Sequence, residues 1–267
     1  SLSPKMHNFL LQNYAINGFY TSLKVEEKNF EQILRDLIKI GFRGFNITIP
    51  FKENALKICD KLSNSAKEIG AVNTILIMQD GKIFGHNSDS IGFIKNIQNT
   101  YPDFNFKNKE IALIGAGGSA KAISYALINK DIRKITIFNR SVEKAENLTK
   151  VLTKINPKIA LATKSLSEIN NNLQNCDLLI NSTCLGMVNN PILDINLKHL
   201  PKTAIISDIV YKPLITPLLQ QAKYLNLRTV TGIGMLIFQG LVGFELWFGQ
   251  KKINQKNIEE LERLLLS

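Results

Sequence analysis

The stretch KEIALIGAGGSAKAISYAL, residues 109–127, decides the fold. A run of bulky β-formers ends at Ile114, glycines follow at 115, 117 and 118, and a helical pattern opens with Ala120, Ala122 and Ala126. Each small residue has its own reason. Gly115 permits a tight turn out of the strand, Gly117 lets backbone approach a pyrophosphate, and Ala120 fits where helix packs on strand. Ala116, Gly118 and Ser119 complete the loop, whose N–H groups and helix dipole favour an anion. Tight turns also use glycine for geometry alone, so the loop by itself is weak. Its place between strand and helix carries the dinucleotide reading.

Working outward, EIALIG, KITIFN, CDLLIN and TAIISDI each hold bulky β-formers, with helical patterns between them. That alternation predicts an α/β, Rossmann-type, doubly wound parallel sheet over residues 105–234. The second strand, KITIF, ends in Asn139-Arg140-Ser141, with Lys144 a turn later, where an NAD-binding sheet would carry an acidic residue. Arg140 offers a forked guanidinium suited to a phosphate, so NADP is the expected cofactor. A helix cap at Asn139 or Ser141 is the local alternative, but a cap does not require Arg140. Thr183 and Gly186 follow a later strand. SDIVY reads as a strand reaching Tyr211, and Gly232 and Gly234 are small enough to let backbone lie against a flat ring.

Residues 1–90 have a different texture, an α/β pattern with mixed strand directions. Helices are expected over residues 3–15, 29–41 and 52–62, strands over 18–25 and 42–50, and a hairpin across Asp80-Gly81. SIGFIKNIQNTY reads as a connecting helix. The helical patterns over 235–267 exceed what the parallel sheet needs and are expected to pack back on the first half.

The 267 residues suffice for two modest domains, and 45% hydrophobic with 21% charged residues is ordinary for a folded cytoplasmic protein. No apolar run spans a membrane and no signal peptide is visible. The three cysteines and three histidines are scattered without metal spacing, which argues against a metal site and suits a reducing compartment. The net charge of +11 raises nucleic acid as a partner. Lysine is spread along the chain with no basic block, so small anions are the better expectation. Monomer and homodimer both stay open.

Lys52 stands just beyond the strand in NITIPFKENA, residues 46–55, where solvation is its ordinary role. Reduction of a carbonyl, however, needs a group that stabilises the developing alkoxide and delivers a proton. Asp89, in HNSDS, would hold such a lysine as ammonium, although its position also suits a helix cap. For Asn46, Thr48 and Asn73 the local alternative is turn hydrogen bonding.

Seven motifs occur in one order: Ser1-Leu2-Ser3-Pro4 with His7-Asn8, Asn46 through Lys52, Gly70 through Thr74, Asn87 through Gly92, the glycine loop, Asn139-Arg140-Ser141, and GIGMLIFQ at 232–239. Together they resemble the shikimate dehydrogenases over the whole chain. The resemblance implies NADPH-dependent, reversible reduction of 3-dehydroshikimate to shikimate, in aromatic amino-acid biosynthesis. It implies Lys52 as acid–base and Asp89 as its partner, Ser1 and Ser3 on the substrate carboxylate, and Asn46, Thr48, Asn73, Tyr211 and Gln239 on ring oxygens or carboxylate. Met235 would pack near the nicotinamide. The family carries a strand before S-x-S-P, so an upstream piece is expected. Thr231 and Ser90 also depart from the usual pattern. A quinate/shikimate dehydrogenase and a catalytically silent NADP-binding protein are the alternatives. Ser3 and Arg140 favour shikimate with NADP over the first, and the presence of both Lys52 and Asp89 argues against the second.

Overall fold

The computed structural model describes residues 1–249, 251 and 253–267. The chain forms two compact units, Ser1–Gly92 with Leu236–Ser267, and Phe93–Met235. Positions 250 and 252 of the expected 235–267 helical segment lie outside the described residues.

The first unit begins with α1 (Ser3–Asn13) and α2 (Phe30–Lys39), then β1 (Gly44–Asn46), α3 (Lys52–Ile58) and β2 (Lys61–Leu62). After α4 (Asn64–Ile69) come β3 (Thr74–Ile77), β4 (Ile83–His86) and α5 (Asp89–Thr100), the last crossing the unit boundary. The sheet order is β1-β3-β4-β2, with β1/β3 and β3/β4 antiparallel and β2/β4 parallel. Gly81, at φ +79°, makes the left-handed turn of the β3–β4 hairpin. Ser63 caps α4, its Oγ accepting from the Ala66 N–H. The core gathers Phe30 and Leu34 of α2 with Ala55, Val72, Ile75 and Ile83. Each large side chain buried there contributes about 1.5–3 kcal/mol.

Three expectations in this unit fail for identifiable reasons. Residues 18–25 form no strand: the Asn8 side chain accepts from the Tyr20 N–H and donates to the Tyr20 carbonyl, both at 2.9 Å. The strand expected over 42–50 stops at Asn46, because the Phe51 N–H turns back to the Thr48 carbonyl. The helix expected to run to Leu62 ends at Ile58. There the Asp60 N–H bonds the Ile83 carbonyl and its carboxylate takes the Ile83 N–H, which pulls Lys61–Leu62 alongside β4.

The second unit carries β5 (Glu110–Ile114), α6 (Gly118–Ile128), β6 (Lys134–Asn139), α7 (Val142–Ile155), β7 (Ala160–Ser165), β8 (Leu178–Asn181), β9 (Ile205–Asp208), α8 (Pro217–Tyr224) and β10 (Arg228–Val230). All six strands are parallel, in the order β10-β9-β8-β5-β6-β7. This is the doubly wound dinucleotide-binding order, with its switch point between β5 and β8. Alternate residues supply the two faces: Ile111, Leu113, Ile135, Ile137, Leu178 and Ile180 join one cluster, while Ala112, Ile114, Phe138, Leu179 and Ile206 join the other. The edge strands β7 and β10 were not among the four expected; β10 is three residues long and β7 only partly buried. The strand expected to reach Tyr211 ends at Asp208, whose Oδ1 takes the Val210 N–H and turns the chain.

Two further helices complete the chain, α9 (Gly232–Phe248) and α10 (Gln255–Leu266). From Leu236 onward they belong to the first unit. The Trp247 indole N–H donates to the Ile75 carbonyl at 2.8 Å, and Lys5 of α1 reaches the Ser267 hydroxyl at 3.1 Å.

Candidate active site

In the first unit the turn after β1 delivers Lys52 to the start of α3. The Val72 N–H bonds the Lys52 carbonyl, fixing that backbone beside the approach to β3. Lys52 Nζ lies 2.6 Å from Asp89 Oδ2, and the side chains are only 14% and 8% exposed. Asp89 opens α5, but its carboxylate does not serve the cap. Oδ2 takes Lys52 and Oδ1 takes the Asn73 amide at 2.7 Å. Its own N–H donates to Asn87 Oδ1, while the Asn87 amide is tied to the Ala71 carbonyl. Removing one partner of so buried a pair costs about 3–5 kcal/mol, since a charge is left uncompensated. Asn73 is also more than a turn former: its amide reaches Asp89, Ser88 and Gln239.

A second group surrounds Asn46. The Tyr20 hydroxyl donates to Asn46 Oδ1 at 2.8 Å, and Asn46 Nδ2 lies 3.5 Å from the Thr74 hydroxyl. Burial pushes the Tyr20 phenol up to about 12, against a hydrogen bond from Ser3. His7 stacks on Tyr20 with centroids 4.4 Å apart and lies 5.2 Å from the Trp247 ring. Burial pulls its pKa down to about 3. Ser1 is exposed and accepts from the Ser3 N–H, and Thr48 is exposed on the turn. Tyr20, Thr74 and Ser88 were not anticipated from sequence. Isolated polar residues in loops and strand ends carry no periodic signal.

The second unit holds the glycine loop at the carboxyl ends of β5 and β8. Gly115 has φ +110°, and a side chain there would strike Ser182 and Thr183. Gly117 instead faces open space, and Ala120 is fully buried against the sheet. A close-packed turn followed by an open backbone at a helix N-terminus fits a dinucleotide pyrophosphate. At the tip of β6, Arg140 and Lys144 are exposed cations. Ser141 occupies the N-cap position of α7 without a side-chain cap bond, and Asn139 Nδ2 donates to its carbonyl. This donor set suits a phosphate monoester.

Other expected residues have local employment. The Thr183 hydroxyl donates to Asn181 Oδ1 and accepts from the Leu185 N–H. Gly186 turns at φ +85°. A side chain at Gly232 would strike the Ile209 carbonyl and one at Gly234 the Asn96 amide, so protein contacts already account for their smallness. Met235 is buried in the core of its unit, and Tyr211 is partly buried. Asp208, 1% exposed, accepts from Val210, Thr216 and Asn181, and burial raises its pKa. Among the described residues no group of side chains could hold a metal ion. No described helix is long and apolar enough to cross a membrane.

A six-stranded parallel sheet with a glycine loop and a phosphate-suited tip, and a separate α/β unit with a buried Lys–Asp pair, are the parts a dinucleotide-dependent oxidoreductase needs. Comparison with known proteins narrows this. Residues 1–75 match the shikimate dehydrogenase substrate binding domain, 97–227 the shikimate/quinate 5-dehydrogenase pattern, and 232–261 the shikimate 5'-dehydrogenase C-terminal domain. A Rhodospirillum rubrum relative named shikimate dehydrogenase (NADP(+)) is 42% identical over 250 residues, 93% of this chain and 88% of its own. Shikimate 5-dehydrogenase of Thermus thermophilus, solved with NADP(H) and shikimate, superposes at TM-score 0.83 with 31% identity, over 99% of this chain and 95% of that one. Quinate dehydrogenase of Corynebacterium glutamicum, solved with NAD, gives 0.89 at 27% identity, over 100% and 94%. The chain belongs to the shikimate dehydrogenase family.

Proposed function

We propose that this chain catalyses the reversible, NADPH-dependent reduction of 3-dehydroshikimate to shikimate, a step of aromatic amino-acid biosynthesis, in the cytoplasm. The observation that carries the reading is the buried Lys52–Asp89 pair, 2.6 Å apart, with Asn73 on the second carboxylate oxygen. The bound cofactor supplies a hydride to the carbonyl carbon. Lys52, positioned by Asp89, stabilises the negative charge growing on the carbonyl oxygen and donates a proton to it. In the reverse direction Lys52 takes that proton from the substrate hydroxyl. Asp89 keeps a free lone pair on each oxygen and accepts from a ring hydroxyl. Ser1 and Ser3 hold the substrate carboxylate; Asn46, Thr48, Asn73, Tyr211 and Gln239 hold the remaining oxygens. Gly115, Ala116, Gly117, Gly118, Ser119 and Ala120 cradle the pyrophosphate. Asn139, Arg140, Ser141 and Lys144 hold the 2′-phosphate, with Thr183, Gly186, Gly232 and Met235 toward the nicotinamide end.

The test is NADPH formation from shikimate and NADP, run beside NAD and beside quinate. Turnover with shikimate and NADP, and little with either replacement, is expected. Comparable turnover with quinate or NAD would move the chain to the neighbouring branch of the family. NADP binding without turnover would make it a silent relative.

A further inference from the structure

We propose that Ser88, buried behind the Lys52–Asp89 pair, is a positioning residue that locks the Asn73 side-chain amide and thereby the Asp89 carboxylate. The inference rests on the proposed reduction for its kinetic consequence, but its geometric content stands alone.

Asn73 is 2% exposed and Ser88 fully buried, so neither can turn to water for a missing partner. Asn73 Oδ1 accepts from the Ser88 backbone N–H at 2.8 Å and from the Thr74 hydroxyl at 3.0 Å. Those donors decide which end of the amide is oxygen. Nδ2 must then face the other way, toward Asp89 Oδ1 at 2.7 Å and Ser88 Oγ at 3.0 Å. Its hydrogens point to the carboxylate and to the serine, with Gln239 Oε1 a longer third acceptor at 3.4 Å. Ser88 accepts one of these hydrogens and has a single proton of its own to give. The acceptors within its reach are Asn73 Oδ1 and Thr74 Oγ1, each at 3.2 Å, and Gln239 Oε1 at 3.4 Å. Gln239 Nε2 is in turn anchored on the Leu236 carbonyl at 3.1 Å, so Gln239 also has a fixed orientation.

The serine therefore grips Asn73 by both backbone and hydroxyl, and it reaches the other amide near the pair. Without the hydroxyl, one Asn73 hydrogen loses its 3.0 Å acceptor and is left with the longer 3.4 Å contact to Gln239 Oε1, which itself loses one of its two donors. The Asn73 amide then loosens, and Asp89 with it, while the second unit is untouched. Leaving a buried donor unpaired costs enough to matter for both binding and rate.

The experiment compares the parent with Ser88→Ala and Ser88→Thr. In Ser88→Ala, KM for shikimate should rise and kcat fall, each roughly tenfold, while KM for NADP stays within about twofold. Ser88→Thr keeps the hydroxyl and should restore both to within about threefold of the parent. Hydrogen exchange of the Asn73 side-chain amide, its signal identified by its loss in Asn73→Asp, should be roughly tenfold faster in Ser88→Ala. Unchanged shikimate kinetics in Ser88→Ala would overturn the proposal, as would an equal rise in KM for NADP. If the parent fails to oxidise shikimate, the reading of its function fails. The exchange rates then decide Ser88 alone, and equal rates in parent and Ser88→Ala would overturn it.

Discussion

Lys52 and Asp89 are 37 residues apart and meet at 2.6 Å, with their side chains only 14% and 8% exposed. Lys52→Ala should lower turnover of shikimate by about 10³-fold, within the range for loss of a positioned acid–base. NADP affinity, measured by fluorescence titration, should stay within about twofold, because the cation removed belongs to the other unit. His7 makes a separate prediction. Its folded pKa, about 3, lies below the ordinary histidine value, so the unfolded chain takes up the proton first. The resulting stability is fully present above about pH 6.5 and is lost as pH falls toward 3. Between pH 7 and pH 5 the loss is about 2 kcal/mol. Urea unfolding at the two pH values should show it, and His7→Phe, which keeps a stacked ring without a titrating nitrogen, should largely remove the difference.

Among elements, the carboxyl edge of the parallel sheet is held by Asp208. Its three partners, the Val210 N–H, the Thr216 hydroxyl and the Asn181 amide, are all donors, so they tie β8, β9 and the start of α8 to one acceptor. Asp208→Leu would leave these buried donors without their acceptor. A loss of about 2–3 kcal/mol in urea unfolding is expected, the usual cost of a buried polar mismatch. Elements of this sheet were legible in sequence wherever a buried strand is a run of β-formers, as in β5, β6, β8 and β9. The β3–β4 hairpin was legible because Asp80-Gly81 separates two alternating runs. Residues 18–25 were not, because a side chain twelve positions earlier occupies the Tyr20 backbone. Lys61–Leu62 looked helical until Asp60 is seen to hold Ile83. The site divides the same way. Lys52 and Asp89 gained their expected roles from the motifs that carry the resemblance, since solvation and a helix cap were their ordinary local readings, whereas Tyr20, Thr74 and Ser88 acquire meaning only from what they touch.

For the whole molecule, the net charge of +11 sets up a field that draws anions in, and Arg140 and Lys144 concentrate it at the tip of β6. Raising salt from about 0.01 M to about 0.1 M shortens the Debye length from about 30 Å to about 10 Å. KM for NADP should then rise by roughly threefold. Arg140→Ala should raise that KM roughly tenfold at low salt, flatten its salt dependence, and spare kcat at saturation. An equal effect on KM for shikimate would place Arg140 outside the cofactor's phosphate site. The division into two units also has an optical consequence. The chain has one tryptophan, and Trp247 is bonded to the Ile75 carbonyl with the His7 ring 5.2 Å away. Its fluorescence should therefore report the melting of the first unit, and a proton arriving on His7 should quench that emission at its source.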